Sequence, residues 1–125
     1  MMTHRDRAHT EAITNLLELS ASLLAEAGAA TSHRAAHTVF GGRERIMRQT
    51  LVALAAGAEL AEHDSPGEAT LYVLDGIVTL RTAGGDSVEM RPGDHLEIPL
   101  ERHGVHAETN AAFLLTAVPR ENLDT

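Results

Sequence analysis

The chain has 125 residues, a length suited to one domain with a single modest core. It contains no cysteine, which excludes disulfides, thiolate-bound zinc and thiol catalysis. The net charge is −8 and no lysine is present, so the balance argues against nonspecific nucleic-acid binding, which needs basic side chains to displace counterions from phosphate.

With two Phe, one Tyr and no Trp, the core has to be built from Leu, Val, Ile, Met and Ala. The opening residues, MMTHRDRAHTEA, carry no apolar stretch or cleavage signature. No run approaches the roughly 18 apolar residues of a membrane span. A cytoplasmic protein with no membrane partner is the expectation. Residues 8–28, AHTEAITNLLELSASLLAEAG, read as an amphipathic helix. Ile13, Leu16, Leu17, Ser20, Leu23, Leu24 and Ala27 recur at helical spacing, while Glu11, Asn15, Glu18, Ser22 and Glu26 occupy the other face. Thr10 is placed to cap the start and Gly28 to stop the helix. The acidic polar face argues against a membrane-surface helix, so the apolar stripe must pack on this domain or on a partner subunit.

From residue 37 the pattern changes to short apolar or alternating segments at 37–40, 45–55, 58–62, 69–75, 77–82, 86–90, 95–99, 103–108 and 111–118. Turn residues divide them: Gly41-Gly42, Ala56-Gly57, Ser65-Pro66-Gly67, Asp75-Gly76, Gly84-Gly85-Asp86 and Arg91-Pro92-Gly93-Asp94. Many short strands at even spacing predict an all-β sandwich or barrel. Pro66-Gly67 and Pro92-Gly93 suit the centres of type II turns. In the strand 69–74, Ala69, Leu71 and Val73 share one face, and Thr70, Tyr72 and Leu74 the other. One face can line a barrel. The second needs cover from the helix or from another subunit, so a homodimer is expected. The organisation is thus a helical segment, 1–36, followed by a barrel, 37–120.

Two ordered motifs resemble the cupin family of small β-barrels, in the RmlC-like jelly-roll form. Gly57, five residues and then His63 match the start of the first cupin motif, and Gly76 closes it after Tyr72-Val73-Leu74-Asp75. Met90-Arg91-Pro92-Gly93-Asp94 followed by Leu96-Glu97-Ile98-Pro99 resembles the second motif, with His103 in its histidine position. The blocks HTVFGG, RQTLVALAAG, AEHDSPGEAT and RHGV are similar to those of small single-domain bacterial cupins. The resemblance implies an all-β cupin barrel with one N-terminal helix, and in many members a divalent metal: Zn, Fe, Mn or Ni.

The departures bear on chemistry. The family's second histidine aligns with Ser65 and its glutamate with Ala69, which leaves His63 and His103 as the metal candidates. A catalytic site of this kind generally uses three protein ligands or more. Asp64, Glu68 and His106 fail as replacements because one residue, or three, along a strand reverses the face. His95 and Glu97 share a face with each other, as a solvated or interface pair. Gln49, Ser65, Ala69, Leu71, Val73 and Val105 are the pocket-lining candidates, and Arg48 and Arg81 are surface charges. No Gly-x-Ser-x-Gly or phosphate loop is present. The expected function is binding of a small organic ligand, a weakly held divalent metal, or both, without a complete catalytic metal site. One alternative is a metal-dependent cupin enzyme of the dioxygenase, isomerase or decarboxylase type, using His63 and His103. Another is a sensor or regulatory module that does not itself bind DNA.

Overall fold

The computed structural model describes residues 13–65 and 67–119. Among these residues one helix, α1 (Leu16–Ala29), precedes nine strands: β1 (Arg34–Phe40), β2 (Arg48–Leu54), β3 (Glu59–His63), β4 (Gly67–Asp75), β5 (Val78–Thr82), β6 (Ser87–Met90), β7 (His95–Glu97), β8 (His103–Ala107) and β9 (Ala111–Pro119). All strand pairs are antiparallel. They form a five-stranded sheet ordered β1-β2-β9-β4-β7 and a four-stranded sheet ordered β3-β8-β5-β6. The chain crosses between sheets repeatedly, which is the jelly-roll way of enclosing a core.

Strand β2 shows why the sequence folds this way. Leu51, Val52, Ala53 and Leu54 are all buried, although alternate side chains point to opposite faces. Val52 and Leu54 join Leu71, Val73, Val78, Leu80, Val105 and Phe113 between the sheets. Leu51 and Ala53 lie on the other face, under Leu23 and Ala27 of α1. The continuous apolar run in RQTLVAL therefore reflects a strand covered on both sides.

The helix begins at Leu16, with Asn15 as its cap, its side chain accepting the Glu18 amide at 3.0 Å. Thr10, the expected cap, and Glu11 lie outside the described residues. Ser20, Leu23 and Ala27 are buried against the sheet, while Leu17 is 67% exposed. Leu19, outside the predicted stripe, packs against this second cluster. At its C-terminal end the helix runs one residue past Gly28. Strand β1 begins at Arg34, so the sheet starts three residues before the expected boundary, because Arg34 and Ala35 pair with Leu54 and Ala53.

Gly93 has φ +92°, and the Asp94 amide donates to the Arg91 carbonyl at 2.9 Å, as the predicted type II turn requires. The other predicted type II turn differs. Pro66 lies outside the described residues, and Gly67, at φ +157°, is already opening β4 rather than holding the tight φ of about +80°. No described helix is long and apolar enough to cross a membrane.

Candidate functional site

Val105 is buried between the sheets, so His103, two residues away on β8, faces the same interior. Its relative exposure is 4%. His63 reaches the same place by a less regular route. Leu60 pairs with Val105, but the next matched pair is His63 with His103. Three residues of β3 thus oppose two of β8, which makes a β-bulge. A regular strand would turn His63 to the opposite face from Leu60; the bulge turns it back toward His103, although His63 itself stays exposed at the rim. Gly104 permits this irregularity. A Cβ there would lie 2.9 Å from the Leu60 carbonyl oxygen and 3.2 Å from the Glu62 nitrogen.

Arg102 then ties down both neighbours of His63. It donates to the Glu62 carbonyl at 3.2 Å and meets the Asp64 carboxylate at 3.4 Å. The result is a histidine pair with ring centroids 4.7 Å apart, tilted by 59°.

Backbone carbonyls set the tautomers. His63 Nδ1 lies 3.1 Å from the Ala61 carbonyl, and His103 Nδ1 lies 2.9 Å from that of Glu101. A carbonyl oxygen only accepts, so each Nδ1 carries a proton, and in the neutral form of either ring Nε2 is the nitrogen with the lone pair. This orientation by a backbone carbonyl is the usual outer support of a metal-binding imidazole. Among the described residues, however, no group of three His, Asp or Glu side chains is placed to hold one ion. Ser65 donates its hydroxyl to the Gly67 carbonyl at 3.0 Å, Asp64 faces Arg102, and Glu68 is exposed. The described residues bring two imidazoles together and do not supply a three-ligand centre.

Ala69, Leu71, Val73 and Val105 all belong to the packing between the sheets. Leu71 and Val73 are fully buried and act as core. The structure does not bring Gln49 to the interior. Gln49 shares the helix-side face of β2 with Leu51 and Ala53, and donates to the Thr116 hydroxyl at 3.1 Å. On the outer face of β8, His106 bonds Glu108 at 3.1 Å. The Thr79 hydroxyl first, and His106 second, hold the Glu108 carboxyl below its usual range. His95 and Glu97 pair with Tyr72 and Thr70 and border a shallow groove of about 440 Å³ with Glu68, Ile98 and Leu100.

A second opening lies between the edges of the two sheets. It has a volume of about 180 Å³, and Leu80, Val88, Leu96 and Pro99 form much of its wall. Thr82 and Glu101 also border it, and both adjoin His103, as its cross-strand partner and as the source of its carbonyl acceptor. Neither stands out in the sequence. Their signal is only positional, as the residues flanking a known histidine. Arg102 escapes notice for the same reason.

The family model for the cupin domain matches residues 50–119. No curated protein matches the chain by sequence. Among solved structures, similarity extends to a conserved protein of unknown function from Streptococcus pyogenes, with TM-score 0.63 and 21% identity over 72% of this chain and 77% of that one. An RmlC-like cupin with a double-stranded β-helix fold from Methanocaldococcus jannaschii aligns with TM-score 0.65 and 13% identity over 78% of this chain and 91% of that one. A salicylate 1,2-dioxygenase from Pseudaminobacter salicylatoxidans aligns with TM-score 0.64 and 20% identity over 81% of this chain but 33% of the enzyme. At these identities the likeness concerns the fold. The two crossing sheets, the helix on the outer face and the match over residues 50–119 lead to one conclusion: the chain belongs to the cupin-domain family.

Proposed function

We propose that this protein is a small single-domain cupin that binds a small organic ligand, with His63 and His103 supplying the polar contacts and a weakly held divalent ion as an optional companion. The observation that carries this reading is the histidine pair itself. Two rings 4.7 Å apart have both Nδ1 atoms committed to backbone carbonyls, and neither Nε2 has a hydrogen-bond partner among the described residues, which leaves each to accept a proton donor or meet a cation. An ion there would polarise a bound oxygen, and the imidazoles would hold and orient it. With two protein ligands rather than three, such an ion exchanges with solvent rather than residing permanently. The open edge of β1 and the exposed Leu17 further support a homodimer.

Thermal unfolding across a panel of Zn, Ni, Mn and Fe(II) salts at millimolar concentration tests the site. A ligand at a hundred times its Kd stabilises by about 2.7 kcal/mol, which is several degrees in Tm. The expected result is a rise for at least one ion that disappears in His63→Ala, with substoichiometric metal in protein purified without chelator. His63 is exposed, so this substitution leaves the core intact. Near-stoichiometric metal that survives purification and is lost in His63→Ala would replace this reading with a resident metal centre.

A further inference from the structure

The cleft between β6 and β7 has a physical origin. Both are edge strands, four and three residues long, and no ladder joins them. Beyond β7 the Ile98 amide still bonds the Ala69 carbonyl of β4 at 2.9 Å, and Pro99 after it has no amide to offer across the gap. Interior side chains therefore meet across a gap instead of sealing it. Leu80 is buried at the cleft, while Val88 remains 42% exposed at its side. An exposed branched side chain beside a concave apolar wall is surface that an occupant would take from water.

The border has one sign of charge. Asp86 and Glu101 flank the opening, with Thr82 and Ser87 as neutral polar neighbours. Among the described residues, no arginine borders it. Arg102, next in sequence to Glu101, is occupied by Glu62 and Asp64. Among the described residues, the Glu101 side chain accepts a single long bond, 3.4 Å, from the Gly84 amide and forms no ion pair. Its carboxylate is thus uncompensated beside an apolar wall, in a chain of net charge −8.

We infer that this cleft binds a small organic cation, a primary amine carried on a compact branched apolar body. The apolar part would lie against Leu80, Val88, Leu96 and Pro99, and the ammonium would sit between the Asp86 and Glu101 carboxylates. The volume of about 180 Å³ leaves room for a small organic molecule. The inference goes beyond the ligand-binding reading above, whose polar contacts are the histidines: this cleft has its own carboxylates and only adjoins His103, through Thr82 and Glu101.

The test is an amide-resolved NMR titration of the full chain at low salt with 3-methylbutylamine, 3-methylbutan-1-ol and 3-methylbutanoate. These probes share one apolar body and differ in charge. The amine is expected to shift the amides of Ser87, Val88 and Leu96, and to bind about tenfold more tightly than the alcohol, because a charge-assisted bond is roughly twice as strong as a neutral one. The carboxylate should be weakest. Added salt should narrow the difference between amine and alcohol, since both carboxylates are exposed. In the double variant Asp86→Asn, Glu101→Gln the amine should fall to the affinity of the alcohol. The wild-type series decides the matter even if that variant does not fold. Equal binding of amine and alcohol, tighter binding of the carboxylate, or no shift at the three amides would overturn the inference. Histidine ring signals followed in a separate zinc titration score the His63–His103 reading independently. Rings that respond while the three amides ignore the amine therefore reject the ligand class alone.

Discussion

Single residues in this fold matter through where they let the backbone go. Gly76 closes the turn after β4 at φ +75°, and a Cβ there would lie 2.0 Å from the Asn110 carbonyl oxygen and 2.7 Å from the Ala111 Cα. The neighbouring loop is held in place by its own bonds: Ile77 donates to the Thr109 hydroxyl at 3.0 Å and Ala56 to the Asn110 side chain at 2.8 Å. The loop cannot withdraw without breaking them. Gly57 also has positive φ, +88°, but open space beyond it. Gly57→Ala should therefore cost only the left-handed penalty, about 1–2 kcal/mol. Gly76→Ala should cost more, about 3–5 kcal/mol, in urea denaturation. Equal losses would show that the close approach contributes nothing. The site follows the same logic. His63 was legible in the sequence because it stands five residues after a glycine and before a recognisable strand. Its turn toward His103 was not legible, because it depends on a bulge that Gly104 makes room for.

At the scale of elements, the strands were readable to within a few residues because turn residues bracket them. Gly57, Gly76, Gly85 and Gly93 all adopt the positive φ that makes them punctuation. β1 was read short, since Arg34 and Ala35 carry no strand signal and become strand by pairing with β2. The helix shows a different limit. Leu17 and Leu19 lie about 80° to either side of the stripe centred on Ser20, Leu23 and Ala27, so helical spacing alone cannot choose between them. The sheet covers Leu19 and leaves Leu17 in solvent. At the centre of that stripe Ser20 is 3% exposed, and its hydroxyl has no hydrogen-bond partner among the described residues. A buried unsatisfied hydroxyl costs about 1–3 kcal/mol, and alanine is the better helix former by up to about 0.5 kcal/mol. Ser20→Ala should thus stabilise the protein by about 1 kcal/mol, read as a higher urea midpoint at unchanged m-value. A loss of stability would mean that the hydroxyl is satisfied in solution, by water or by the chain before residue 13.

The whole molecule has two unequal sheets, and the inequality leaves surface over. Five strands face four, and β1 forms an outer edge seven residues long without a proline or lysine to blunt it. Thr38 on this strand is exposed, as are Ala36 and His37. The helix packs across β1 and β2, with Leu17, 67% exposed, on its uncovered side and Ile13, 42% exposed, just before its first turn. Among the described residues β1 has no partner on its outer side, and with the exposed leucine and isoleucine it offers a second copy two means of association, strand pairing and apolar burial. Light scattering after size exclusion should accordingly give twice the chain mass at micromolar concentration. Leu17→Glu adds a charge at an exposed helical position, so it should leave the Tm of the isolated chain within about 0.5 kcal/mol of its starting stability. If Leu17 is buried between copies, the same charge loses its hydration there, and the variant should elute as monomer. A wild-type monomer at about 100 μM would exclude the dimer. A dimer unaffected by Leu17→Glu would move the contact to the β1 edge alone, where a proline at an outward amide of Ala36 or Thr38 would be the next substitution to break it.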